Sequence, residues 1–112
     1  MSSRLDEIKR IIQEIPNDPF PRYGLAMEHK NSGDLTAAHE AFAELQQRHP
    51  DYVPQYLMHG QALTALRQPE QAAAVLRQGI AAAERARNLH ALGELRSALE
   101  ALERGADEDE DD

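Results

Sequence analysis

The chain has 112 residues, of which 41% are hydrophobic and only 4% aromatic, and this size fits one small domain. It contains no cysteine, so disulfides and thiolate metal sites are excluded. The formal net charge is -8, but the last six residues, DEDEDD, supply six of the 20 acids, and the other 14 nearly balance the 12 bases. Nucleic-acid binding is therefore not expected, because it usually needs a clustered basic face.

Neither end of the chain suggests export or membrane insertion. The N-terminal stretch MSSRLDEIKRIIQEI carries charges throughout and lacks the apolar centre of a signal peptide. No apolar run approaches the roughly 20 residues that are needed to span a bilayer. We therefore expect a soluble, cytoplasmic protein that does not bind membranes.

Apolar residues at helical spacing predict six helices, and the first lies at the N-terminus. Its apolar stripe is Leu5, Ile8, Ile12 and Ile15, with Ser3 as the N-cap. The sequence PND ends this helix, since proline and two turn-forming residues follow one another.

The second and third helices begin at aspartates. Asp18 can cap the second helix, with Pro19 in its first position, where the missing proline N–H costs nothing. The sequence NSG, which ends at Gly33, closes it. Asp34 can cap the third helix, which ends at HPDY.

Three more helices are expected after this point. The fourth covers about residues 54–66 and the fifth about residues 70–85, with the turn RQPE between them. After a break at Asn88, the last helix carries leucines at helical spacing and is expected to end at Gly105.

The acidic end of the chain differs in composition from the rest. Residues 105–112 bury too little apolar area to become ordered and carry like charges that repel one another, so they are predicted to form a disordered tail behind a domain of residues 3–104. The tail would aid solubility. A second interpretation is that it attracts a basic partner at long range.

The sequence repeats itself at a shift of 34 residues, with small residues falling on small ones and large apolar residues on large ones. The recurring positions are Ala26 and Gly60, Ala38 and Ala72, Phe42 and Leu76, and Pro16 and Pro50. This pattern resembles the tetratricopeptide repeat family, whose unit is a hairpin of two helices. The chain would be a small bacterial-type member, with two full repeats flanked by half repeats.

The resemblance implies an all-α fold, a right-handed superhelical stack of antiparallel helix hairpins. In such a stack Ala38 and Ala72 allow the two helices of a hairpin to cross closely, because a larger side chain would force them apart. The last helix would cap the stack with its leucines facing inward.

In this family the first helix of each hairpin lines a concave groove, so the resemblance implies a noncatalytic protein-binding module or scaffold that takes a peptide or helix of a partner. One alternative is that the terminal helices fill the groove, which would make Phe20 and Met27 core residues. Tyr56 and Leu57 compete for one position, because the motif Asp-x-x-Pro-x-Tyr recurs at a spacing of 33 rather than 34. The implied groove residues are Phe20, Tyr23, Met27, Lys30, Tyr56, Leu57, Gln61 and Thr64.

No arrangement of residues indicates catalysis. There is no glycine-rich phosphate loop, and the serines have no adjacent base. Four histidines recur at ten-residue steps, but that spacing does not place ligands on one face of a helix. We therefore expect no enzyme activity, no cofactor and no metal.

A second function class remains open. The protein could be an oligomerisation element or a small chaperone-like adaptor that pairs through its terminal helices as a weak homodimer, with Ile11 and neighbouring apolar residues at the contact. The sequence does not identify a protein partner in either case.

Overall fold

The computed structural model describes the backbone of residues 3–110 and the side chains of residues 3–105. Within that part of the chain all regular structure is helical, which confirms the predicted all-α class. The helices are α1 (Ser3–Glu14), α2 (Pro19–Asn31), α3 (Leu35–Arg48), α4 (Pro54–Ala65), α5 (Pro69–Ala86) and α6 (Leu89–Glu110).

Two of the three predicted caps, Asp18 and Asp34, mark helix starts, whereas Ser3 is the first residue of α1. Asp18 accepts a hydrogen bond from the backbone N–H of Phe20, with Pro19 as the first residue of α2. Asp34 does the same for Ala37 at the start of α3. Each aspartate satisfies a backbone donor that the first turn of a helix leaves without a partner.

The last helix is longer than the sequence predicts. Helix α6 continues through Gly105 to Glu110, so the predicted helix end at Gly105 is wrong. Gly33 is the one glycine in the described part of the chain with a positive φ, +87°, and Gly105 therefore does not adopt the left-handed conformation that ends helices. The acidic segment continues the α6 backbone as far as Glu110, and residues 111–112 lie outside the described residues.

Consecutive helices pack as hairpins. Helix α2 packs on α3 and α4 packs on α5, while α1 covers α2 and α6 covers α5. Helix α3 contacts α4 and thereby joins the two hairpins. Helix α4 also contacts both α2 and α6. The first helices of the successive repeats therefore lie side by side.

Each hairpin has its own buried cluster, and both contain the recurring residues. In the first hairpin, Ala26, Ala38 and Phe42 are fully buried together with Leu45. A larger cluster in the second hairpin includes Ala72 and Leu76 and extends to two leucines of α6. The two recurring prolines, Pro16 and Pro50, lie between helices and are exposed.

Close helix crossings explain the small residues. A methyl group on Gly60 would lie 2.7 Å from Leu76 Cδ2, the flexible end of that side chain. A methyl group on Gly79 would collide with Cβ and Cγ of Tyr56, which are close to the backbone and cannot turn away. The α4–α5 crossing therefore requires glycine more strictly at Gly79 than at Gly60.

Candidate functional site

Helices α2, α4 and α6 form a wall on one side of the stack, and we call the depression along this wall the inner groove. A cavity of about 310 Å³ lies between these three helices. Tyr23 of α2, Leu57 and Met58 of α4, and Ala91 and Leu95 of α6 supply most of its apolar lining. A cavity of this size is at the lower end of the range for ligand sites, with room for a few side chains of a partner.

A second cavity extends the groove along α4 and α6. Its volume is about 280 Å³, and Leu57, Gln61, Thr64 and Ala98 are among its lining residues. Gln61 and Thr64 are exposed, although the Thr64 hydroxyl donates a hydrogen bond to the carbonyl of Gly60 one turn earlier. Four predicted groove residues, Tyr23, Leu57, Gln61 and Thr64, therefore line these two cavities.

The other α2 residues of the prediction lie outside these cavities. Phe20 is 65% exposed near the start of α2. Met27 is half-buried and packs against the core of the first hairpin, and Lys30 is half-buried one turn further on. Phe20 is therefore accessible, as expected of a groove residue. Met27 belongs partly to the core, as expected if this helix were packed inside the stack.

Tyr56 is not a groove residue, and this part of the prediction is wrong. Its ring lies in the core against Gly79, and its hydroxyl donates a hydrogen bond to the carbonyl of Pro50. Leu57, the competing candidate, lines the groove. One position on a helix turns a side chain by about 100°, which is enough to move it from one face to another.

Tyr23 belongs to both the groove and the core. Its ring centroid lies 5.5 Å from that of Tyr52 and 6.4 Å from that of Phe42, in tilted arrangements that favour aromatic pairs. Burial raises the pKa of the Tyr23 phenol above its ordinary value of 10.0. The side chain therefore remains neutral at pH 7 and presents apolar surface to the cavity.

The contribution of α6 to the groove was not predicted from the sequence. His90, Glu94 and Ser97 line it in positions that correspond to Leu57, Gln61 and Thr64 of α4 at a shift of 33 residues. A signal was present in the sequence, because Gly60 and Gly93 have the same spacing. A repeat of 34 residues does not place these α6 positions opposite those of α4.

A pair of histidines lies where the two hairpins meet. His39 Nδ1 of α3 and His59 Nε2 of α4 are 2.9 Å apart. The ring of His59 is 2% exposed and stacks on Phe42, with 5.3 Å between the centroids. Burial, and then the neighbouring His39, lower the pKa of His59 from 6.5 to about 4. His59 is thus a neutral part of the packing at pH 7.

Comparison with solved structures decides the family. The crystal structure of a tetratricopeptide repeat domain protein from Salinibacter ruber is 35% identical, with a TM-score of 0.73, over 77% of this chain and 97% of that one. A solution NMR structure of a tetratricopeptide repeat domain protein from the same organism gives 35% identity and a TM-score of 0.74, over 79% and 89% of the two chains. The chain belongs to the tetratricopeptide repeat family.

The sequence prediction of this family is thereby confirmed. No protein-family model and no curated protein matches the chain. Membership of the tetratricopeptide repeat family supports protein–protein interaction in general, and proteins of this fold are typically noncatalytic.

Among the described residues, no three side chains of His, Cys, Asp or Glu are grouped in a way that could hold a metal ion. No helix in the same part of the chain is long and apolar enough to cross a membrane.

Proposed function

We propose that this protein binds a short segment of a partner protein, a peptide or one face of a helix, in the inner groove formed by α2, α4 and α6. It would act in the cytoplasm without catalysis, as a docking module built from residues 3–104. The main support is the apolar lining of the first cavity, to which all three helices contribute, and which α4 and α6 continue in the second cavity. The cavities are open depressions, which suits a peptide chain better than an enclosed small molecule.

The packing of the terminal helices supports an open groove. Helix α1 packs on α2, and α6 extends the wall by packing on α4 and α5. An extended peptide or an amphipathic helix could therefore place apolar side chains against Leu57 and Tyr23.

A bulky substitution at Gln61 tests groove binding directly. Gln61 lines the groove and is exposed, so Gln61→Trp adds bulk to the groove without removing core packing. Gln47 of α3 provides the matched control, because it is also exposed but lines neither cavity. Ligands for the measurement are peptides selected from a displayed library on the unaltered protein.

We expect Gln61→Trp to weaken peptide binding by about tenfold or more, while Gln47→Trp leaves it unchanged. Fluorescence polarisation gives the affinities, and circular dichroism shows whether both variants keep their melting temperature. If both variants bind equally well, or if no peptide is selected, groove binding is refuted.

Self-association is a second candidate function. Ile15, which follows α1 directly, and Phe20 at the start of α2 are two of the three large exposed apolar side chains in the described part of the chain. They flank one turn and could meet the same turn of a second copy. Sedimentation equilibrium tests this idea: a dimer that Phe20→Ser dissociates would support it, and a monomer at all concentrations would exclude it.

A further inference from the structure

A single acidic side chain lies among the apolar cavities of the inner groove. Besides the two cavities already described, a wider depression of about 610 Å³ opens along α6. Leu57 lines all three, and Glu94 lines two of them. None of the described residues that line these cavities is a lysine, an arginine or a second acid.

The carboxylate of Glu94 is available to a ligand. Its side chain is 50% exposed, and its ion-pair partner among the described residues is His90, whose Nε2 lies 3.3 Å from Oε1. His90 stands one helical turn earlier, is largely exposed, and attracts the carboxylate as an ion only when it is protonated. Exposed pairs of this kind contribute little, so a permanently charged cation could replace His90.

The surface beside Glu94 is apolar and would provide a second contact with a ligand. Leu57 and Met58, which are half-buried, form an apolar area beside Glu94 in the cavity of about 310 Å³. Transfer of a bulky apolar side chain of a ligand from water to this area would be favourable. An acidic segment would bring a second negative charge close to Glu94, and the protein's net charge of -8 would repel it at long range.

We propose that the groove recognises a basic, apolar protein segment, in which a lysine or arginine pairs with Glu94 and a neighbouring large apolar side chain packs against Leu57. This inference rests on the proposed function and specifies the chemistry of the partner. Salt should weaken the binding, because the ion pair and the long-range attraction are both screened.

Selection from a displayed library of random short peptides on the full chain tests this chemistry. Peptides selected on the unaltered protein should be enriched in lysine or arginine next to a large apolar residue. Glu94→Gln should weaken their binding about fivefold, in the range expected of a half-exposed ion pair. Glu94→Lys should select acidic peptides instead.

Glu100→Gln is the matched control, because Glu100 is exposed on the same helix but lines none of the three cavities. It should leave the affinity unchanged. Selection of acidic or uncharged peptides whose binding Gln61→Trp abolishes would overturn this inference and leave the proposed function standing. Binding that neither Glu94→Gln nor Gln61→Trp affects would overturn both.

Discussion

The buried histidine pair predicts that acid loosens the joint between the two hairpins. His39 Nδ1 and His59 Nε2 lie 2.9 Å apart, so one nitrogen must donate and the other accept. If both rings were protonated, two N–H groups would face each other across this distance. Protonation of His59 in the folded state therefore places a charge in a site that is 2% exposed, and protonation of both rings breaks the contact.

The size of the effect follows from the pKa of His59, which is 6.5 in the unfolded chain and about 4 in the folded one. One unit of pKa corresponds to about 1.4 kcal/mol, so the complete effect is about 3 kcal/mol. Because the unfolded chain binds the proton more readily, stability is retained above about pH 6.5 and is lost as the pH falls towards about 4. Between about pH 7 and about pH 4.5 the expected loss from His59 is about 2 kcal/mol.

Urea unfolding followed by circular dichroism at several pH values in this range measures the loss. Carboxylates also titrate near its lower end, so the informative quantity is the difference between the protein and its His59→Gln variant, which cannot be charged at this position. His90→Gln serves as the control, because the His90 ring is largely exposed. His59→Gln should lose about 2 kcal/mol less on acidification than the protein or the control. Equal losses in all three would refute the reasoning.

Two further predictions concern packing. Leu95→Ala should lower the free energy of unfolding by about 2–5 kcal/mol in urea unfolding, because Leu95 is 1% exposed, whereas Leu89→Ala on the same helix, at 78% exposure, should change it by less than about 0.5 kcal/mol. A similar loss of unfolding free energy in both variants would mean that α6 does not cover the core of the second hairpin. Gly79→Ala should lower the melting temperature, because overpacking against Tyr56 costs about 1–3 kcal/mol and outweighs the better helix propensity of alanine. Gly60→Ala should lower the melting temperature less than Gly79→Ala does. The reverse order would contradict the described crossing of α4 and α5.

The sequence predicted the fold well because its signals are local. Asp18 and Asp34 cap helices at the positions that their side chains predict. Each capping hydrogen bond joins residues two or three positions apart. The end of α6 was mispredicted, because glycine ends a helix only when it adopts a left-handed conformation. Tertiary packing and flanking residues influence that choice, so Gly105 alone could not decide it.

The site was less predictable because it depends on how each helix is rotated about its axis. A difference of one position between the two repeat spacings left Tyr56 and Leu57 as equal candidates, and only the packing of Tyr56 on Gly79 settles the choice. The pair of His39 and His59 was missed for a related reason. The two residues lie 20 positions apart on different helices, so no helical spacing connects them.

Stability and binding share residues in this groove, and this limits which substitutions can test function. Tyr23 packs on Phe42 as well as lining the groove, and Leu95 is both a core residue and part of the wall. Replacing either by alanine would remove core packing, so a loss of binding could reflect unfolding. Gln61 and Glu94 line the groove from exposed positions and take part in neither core cluster. A loss of binding at these two positions, with an unchanged melting temperature, can therefore be assigned to the groove itself.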